Sequence, residues 1–312
     1  MRTPILAAPI LATACALLAA LPAAAQDLTG TLAKIRDTGA IRMGVRAASI
    51  PFSYDNNGAP VGYAVDICHH VANTIRDRLQ MPSLRVEHVP VVPSTRIPLL
   101  LDGTIDVECG STTNNAARSK QVAFSNTYFL TANRLVARAG SAIYTQPGVT
   151  AIDALDRQTV ASTQGSTNLD QLTQRNNEWS LGMTVLATKD HAEAFSLVES
   201  GRAAAFVMDD ILLASFVAGS ATPAAYRISG DAFGMPEPYG IMLRRDDPPF
   251  KALVDDATAT LFRSPAGRAL YDKWFTQPIP PRGLVLNIPM SPGLARAFAN
   301  PTDTPDPGAY GF

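Results

Sequence analysis

The chain has 312 residues, 46% of them hydrophobic and 17% charged, with a formal net charge of −1. That balance argues against nucleic acid as a partner, which leaves a basic footprint. Three cysteines are too few for a disulfide-dense scaffold, and the length suits one large domain or two smaller ones.

The first segment reads as a leader rather than as part of the fold. Arg2 supplies a positive start, Ile5 to Leu21 is almost wholly apolar, and Ala23-Ala24-Ala25 offers a small-residue cleavage site before Gln26 or Asp27. A membrane anchor is the rival reading, but the small-residue site follows at once and no basic stop-transfer cluster does. A signal peptide over residues 1–25 predicts an exported protein, whose charge without Arg2 is −1 − 1 = −2. Cys68 and Cys109 remain, and whether they pair is open at this point.

Leu28, Leu32 and Ile35 have helical spacing and Gly39 stops the helix; Ile41 to Val45 follows as a strand that ends at Arg46. A loop from Ala47 to Pro60 precedes an amphipathic helix carrying Val65, Cys68, Ala72, Ile75 and Leu79. Leu84 to Val91 reads as a strand, and Ser94 or Thr95 as the cap of a short helix through Leu100. The strand Ile105-Asp106-Val107 then runs into Glu108-Cys109-Gly110-Ser111-Thr112-Thr113-Asn114-Asn115, with Arg118 after it. Small hydroxyl and amide donors at a strand end suit a charged small molecule, and a guanidinium fork matches a carboxylate.

Tyr128 to Arg138 reads as one extended run, and a second βα series begins beyond it. Thr159-Val160-Ala161 ends in the polar loop 162–167, a helix starts near Leu169, and Thr184 to Ala187 is a strand. A helix through Ala194, Leu197 and Val198 leads to the buried strand Ala204 to Met208, which ends in Asp209-Asp210. A further extended run, Tyr239 to Arg244, precedes helices at 250–262 and 267–275, and a proline-rich tail is expected to wrap the surface. The fold class predicted is α/β, two lobes each built on a mostly parallel sheet flanked by helices, joined by two extended crossings. Ligands of open α/β sheets sit at the carboxyl ends of strands, so Arg46, the 110–118 loop, the 162–167 loop and Asp209 are expected to face one cleft.

Enzyme chemistry has little footing in the sequence. No Gly-x-Ser-x-Gly, Ser-x-x-Lys, His-Glu-x-x-His or Gly-x-Gly-x-x-Gly motif is present, no lysine follows a glycine as a P-loop requires, and no cofactor is expected. Cys68-His69-His70 resembles a metal motif, but adjacent helical positions face different ways. Arg46, Arg96 and Arg118 near one cleft would provide for more than one carboxylate, and Asp209 for an ammonium, which describes an acidic amino acid.

Gly44-Val45-Arg46, Pro51-Phe52-Ser53-Tyr54, Arg96-Ile97-Pro98-Leu99-Leu100, the block Glu108 to Asn115, Lys189-Asp190-His191, Met208-Asp209-Asp210 and Trp274-Phe275 together resemble the periplasmic glutamate/aspartate-binding proteins of ABC importers. The resemblance runs from about Leu32 to about Leu286 and implies a type II, family 3 solute-binding protein, monomeric and periplasmic, serving an inner-membrane permease. It implies lobe 1 over 27–132 with 236–312, lobe 2 over 133–235, and hinges near Ala132 and Pro236. Arg118 and Thr113, with Thr163 and Ser166, would clamp the α-carboxylate. Ser111 and Asp209 would take the ammonium, and Arg46, Arg96 and His191 the side-chain carboxylate. Pro93 departs from the family's serine, and Ala64 replaces a polar residue expected on a helix surface. Glutamine or another polar amino acid, a cyclohexadienyl dehydratase-like activity on the same fold, and a sensor role are the rival readings.

Overall fold

A computed structural model describes residues 28–146, 148 and 150–312; the expected signal peptide lies outside the described residues. The chain opens with α1 (Gly30–Thr38), β1 (Ala40–Val45) and a small sheet of β2 (Ala48–Ser49), β3 (Ser53–Asn56) and β4 (Ala59–Val61). It continues through α2 (Tyr63–Arg78), β5 (Arg85–Pro90), α3 (Arg96–Leu101), β6 (Val107–Glu108), β7 (Val122–Phe124) and β8 (Phe129–Thr131). The second series holds β9 (Asn133–Arg138), α4 (Ala142–Thr145), β10 (Thr159–Thr163), α5 (Thr167–Glu178), β11 (Thr184–Thr188), α6 (His191–Glu199), β12 (Ala205–Asp209), α7 (Asp210–Gly219) and β13 (Tyr226–Ile228). The return comprises β14 (Glu237–Tyr239), β15 (Met242–Arg244), α8 (Pro248–Arg263), α9 (Pro265–Phe275) and α10 (Pro292–Ala299).

Two five-stranded sheets result, ordered β5-β1-β6-β15-β7 and β11-β10-β12-β9-β13. In each, one inner strand opposes its neighbours: β15 is antiparallel to β6 and β7, and β9 to β12 and β13. These are the strands that the chain enters from the other lobe. The crossings β8 and β14 themselves pair antiparallel, Leu130 opposite Pro238. The runs expected as single extended segments, Tyr128–Arg138 and Tyr239–Arg244, are each split where the chain changes sheet; at Ala132 the carbonyl accepts from Asp210 N at 2.9 Å.

The crossings rest on aromatic packing. Phe129 stacks on Phe275 at 4.9 Å between ring centroids and meets Phe52 edge-on at 5.0 Å, and Phe52 meets Tyr239 at 5.2 Å. Such pairs contribute beyond their buried area and hold ring angles fixed. In lobe 1 the fully buried Asp106 accepts from Lys34 Nζ at 2.8 Å, Arg244 Nη2 at 3.1 Å and Arg42 N at 2.9 Å, tying α1 and β15 to β1. Paired and hydrogen-bonded in this way, a buried carboxylate is tolerated.

Three expectations need correction. Ala64 is fully buried, not on a helix surface, because Gly62 brings the first turn of α2 against the Phe52 carbonyl. Thr95 occupies the N-cap of α3 without capping it; its Oγ1 accepts from Val92 N at 3.1 Å instead. The tail is not merely a surface wrapping, since α10 buries Leu294, Ala297 and Phe298, and Phe298 stacks on Phe262 at 4.4 Å. Beyond α10, the Asp303 carbonyl accepts from Asn114 Nδ2 at 2.6 Å and the Thr302 carbonyl from Thr127 N at 2.8 Å.

Cys68 and Cys109 form a disulfide that joins α2 to the end of β6 across 41 residues of sequence. Cross-linking a loop of that length restricts the unfolded chain, so replacing both cysteines by serine is expected to cost about 2–4 kcal/mol. Thermal melts with and without reductant check this, and the double variant should melt where the reduced protein does.

Candidate functional site

Four strand ends converge between the lobes, as their chemistry suggested. Arg46 follows β1, Ser111 to Arg118 follow β6, Ser166 to Asn168 follow β10, and Asp209 ends β12. The cavity they enclose is narrow, about 10 Å³. Arg96, Ser111, Thr113, Arg118, Ser166, His191 and Asp209 line it. The first residues of α5, Thr167 and Asn168, are also on its wall, and a helix N-terminus favours negative charge there. Pro93 lines the cavity too, where the family's serine would have offered a hydroxyl.

Arg46 and Thr163 stand behind the wall and act through His191. Arg46 Nη2 lies 3.3 Å from His191 Nε2, and Thr163 Oγ1 lies 2.8 Å from His191 Nδ1. A guanidinium only donates, so Nε2 accepts and Nδ1 carries the proton, donating to Thr163. His191 is thereby a neutral imidazole. Burial, then the charges of Arg46 and Arg96, holds it well below the ordinary histidine range.

The three arginines are all buried. Arg96 Nη1 donates to Thr112 Oγ1 at 2.6 Å, and Thr112 Oγ1 passes the chain on to Glu108 Oε2. Arg118 Nη1 donates to the Thr113 carbonyl at 2.9 Å, and Nη2 crosses the cleft to the Gly165 carbonyl at 3.1 Å. Burial and the neighbouring Arg96 lower both Arg46 and Arg118 to about 10, so both remain cations at neutral pH. Arg46 Nη1, Arg96 Nε and Ser111 Oγ are buried without a hydrogen-bond partner. Buried donors of this kind cost stability unless an acceptor reaches them.

Asp209 is the anionic counterpart. Its Oδ1 accepts from Asn168 Nδ2 at 2.8 Å and its Oδ2 from the Tyr239 hydroxyl. Burial, with the nearby Glu237 carboxylate second, pushes its pKa up to about 7. Ser166 does two local jobs: its Oγ accepts from Leu169 N at 3.1 Å as the cap of α5 and donates to the Thr163 carbonyl at 2.6 Å. The cleft is closed at this edge. Gly165 has φ +78°, and a Cβ there would lie 2.8 Å from Ser94 Cα, so only glycine permits the approach. Gly110 is required for a similar reason, its missing Cβ being occupied by the Glu108 carboxylate.

Sequence reasoning sent the loops that hold Thr112 and Thr167 to the cleft without singling out either residue, and it missed Asn168, Glu237 and Tyr239. Asn168 directly follows the 162–167 loop and was within reach of the strand-end rule. The hinge pair, Glu237 and Tyr239, carries no local signal. Among the described residues no group of three or more His, Cys, Asp or Glu side chains is arranged to hold a metal ion, and His69 packs against His88 at 5.6 Å. Likewise no helix among them is long and apolar enough to cross a membrane.

Residues 41–277 match the bacterial extracellular solute-binding proteins, family 3. The chain is 43% identical over 284 residues to an L-glutamate/L-aspartate-binding protein of Pseudomonas aeruginosa, covering 90% of this chain and 92% of that protein. It is 41% identical over 281 residues to a glutamate/aspartate import solute-binding protein of Escherichia coli, covering 90% and 91%. Among solved structures, a mutant of the arginine-binding protein ArgBP of T. maritima superposes with a TM-score of 0.69 at 27% identity, covering 78% of this chain and 99% of that one. An ancestral amino acid-binding protein, a precursor of cyclohexadienyl dehydratase, gives 0.66 at 26% identity, covering 80% and 100%. The two-lobed type II fold expected from the resemblance is the fold found. By its architecture, its cleft and these matches, the chain belongs to the bacterial extracellular solute-binding proteins of family 3.

Proposed function

We propose that the protein captures L-glutamate or L-aspartate in this cleft and delivers it to the permease of an ABC importer, as a monomeric periplasmic receptor without turnover. The observation that carries the reading is the pair of buried arginines on the cavity wall, Arg96 and Arg118, with Arg96 Nε and Ser111 Oγ left unpartnered and Arg46 adding a third buried cation behind them. A dicarboxylate supplies acceptors to both ends of that group, and charge-assisted bonds in a closed site suffice for micromolar binding, about −8 kcal/mol. The 41–43% identity to two glutamate/aspartate-binding relatives supports the choice of ligand.

In this reading Arg118 and Thr113, helped by Ser166, clamp the α-carboxylate at the N-terminus of α5. Ser111 and Asp209 take the ammonium. Arg96 and His191 face the side-chain carboxylate, while Arg46 and Thr163 fix the ring and charge state of His191. Lobe 1 comprises 27–132 with 236–312 and lobe 2 comprises 133–235; they close by rotation near Ala132 and Pro236.

Calorimetry with L-glutamate, L-aspartate, L-glutamine and neutral amino acids tests the assignment. Heat from the two acids well above that from glutamine is expected, and binding of neutral amino acids alone would sink it. Arg118→Ala should weaken every amino acid by about 100-fold or more, whereas Arg96→Ala should mainly remove the preference for acids. Equal losses for all ligands in both variants would refute these roles. An absorbance assay with prephenate should detect no turnover.

The pH dependence follows from Asp209. An ammonium favours its ionised form, whereas the ligand-free group takes up a proton as pH falls through about 7. Affinity for L-glutamate should therefore be full at pH 8 and fall below pH 7, by up to about tenfold per pH unit. Asp209→Asn should bind more weakly at pH 8 and flatten the profile. A flat profile in the unaltered protein would remove Asp209 as the ammonium partner.

A further inference from the structure

Beyond its charge near Asp209, amino-acid capture as described above gives no role to Glu237, which sits on the returning crossing β14. Its Oε2 accepts from Thr113 Oγ1 at 3.0 Å and from Thr167 Oγ1 at 3.0 Å, and its Oε1 accepts from Gln171 Nε2 at 2.7 Å. Thr113 belongs to the loop after β6 on the first sheet. Thr167 and Gln171 lie at the start of α5, which packs on the second sheet. One carboxylate therefore accepts from both lobes at once, and a single oxygen is shared between them.

The surroundings make this contact specific to the closed arrangement. Gln171 Oε1 in turn accepts from Asn133 Nδ2 at 2.9 Å, on the first strand beyond the outgoing crossing, so both crossings join one network. The binding loop is continuous with β14, since Asn114 N donates to the Pro238 carbonyl at 2.8 Å. Rotation of α5 away from the loop after β6 would separate Thr167 and Gln171 from Thr113. Glu237, on the hinge, could then satisfy only one side and would exchange the other for water. A charged acceptor makes stronger bonds than a neutral one, so the closed form gains from its charge as well as its shape.

We propose that Glu237 is the latch of the cleft, a positioning residue that holds the lobes shut by accepting from Thr113, Thr167 and Gln171 together and so sets how fast a captured amino acid leaves. The proposal rests on the capture reading above. Glu237 acts through the lobes and not through the ligand, so it affects every ligand of the cleft by the same factor. It differs in this from Arg96 and His191, which face one part of the ligand.

The test is stopped-flow and calorimetric titration of the exported protein with L-glutamate and L-aspartate, in Glu237→Gln and Gln171→Leu. Glu237→Gln keeps the shape and one acceptor oxygen; Gln171→Leu removes one of the two lobe 2 donors, together with the acceptor of Asn133, and leaves the carboxylate and Thr167 in place. The dissociation rate should rise about tenfold in Glu237→Gln and less in Gln171→Leu, with association changed little, as most affinity tuning is in release. The ratio of the two ligands' affinities should be preserved, and the ligand-free melting temperature should stay near that of the unaltered protein. Gly165→Ala, which props the cleft edge open, is the reference and should shift release in the same direction. Dissociation unchanged in both variants overturns the latch, as does a changed glutamate-to-aspartate ratio, which would make Glu237 a ligand contact. Failure of the unaltered protein to bind either acid overturns the capture reading, and the latch with it.

Discussion

Three guanidinium groups buried around one cleft set the terms for the rest of the structure. Burial, and then the charge of Arg96, lowers the proton affinity of Arg46 and Arg118, so their desolvation is unfavourable. The fold answers with acceptors fixed by backbone. Arg118 bonds to carbonyls of both lobes, Arg96 reaches Glu108 through Thr112, and Arg46 rests on a neutral imidazole. Glu108, Asp209 and Glu237 supply negative charge nearby without capping every guanidinium nitrogen. Asp209 and Glu237 are already partnered, by Asn168 and Tyr239 and by Thr113, Thr167 and Gln171, whereas Glu108 accepts from Thr112 through Oε2 and its Oε1 has no partner.

The disulfide and the tail serve this arrangement from opposite sides of the same loop. Cys109 anchors its entry to α2, and Asn114, five residues on, is held by the Asp303 carbonyl of the C-terminal segment. Ser119 Oγ donates to Asn114 Oδ1 at 2.7 Å, which fixes that amide's orientation. The stretch that carries Ser111 and Thr113 is therefore braced on both sides before any ligand arrives, and preorganisation of this kind lowers the entropy lost on binding. The brace from the tail lies beyond residue 277, outside the part matched by the family.

How much of this the amino-acid sequence disclosed depends on where each contact arises. Polar groups at the end of an apolar strand were legible, because the strand-end rule turns a local pattern into a location; Arg46, Ser111, Thr113, Ser166 and Asp209 were reached in that way. Contacts made across the hinge were not. Glu237 and Tyr239 stand in a short segment without periodicity, and their partners Thr167 and Asp209 are 70 and 30 residues away. Ala64 was misplaced because the backbone approach of Gly62 and Ala64 N to the Phe52 carbonyl, and not helix periodicity, decides which way the first turn of α2 faces. The helix α10 did have a readable start, Ser291 as cap with Pro292 next, and Leu294, Ala297 and Phe298 on one face. The prolines around it masked that signal.

The paired crossings also dictate an order of assembly. Strand β15 is an inner strand of the first sheet, between β6 and β7, yet it is separated from β7 by the whole of the second lobe. The second sheet is built from one uninterrupted stretch and can be complete while the chain is still emerging. The first cannot close until residues 242–244 arrive, and its pairing carries a high loop-closure cost. The lobe that begins the chain must therefore be the last to finish folding, and an unfilled slot between β6 and β7 is the exposed edge that a stalled or truncated chain would present to others.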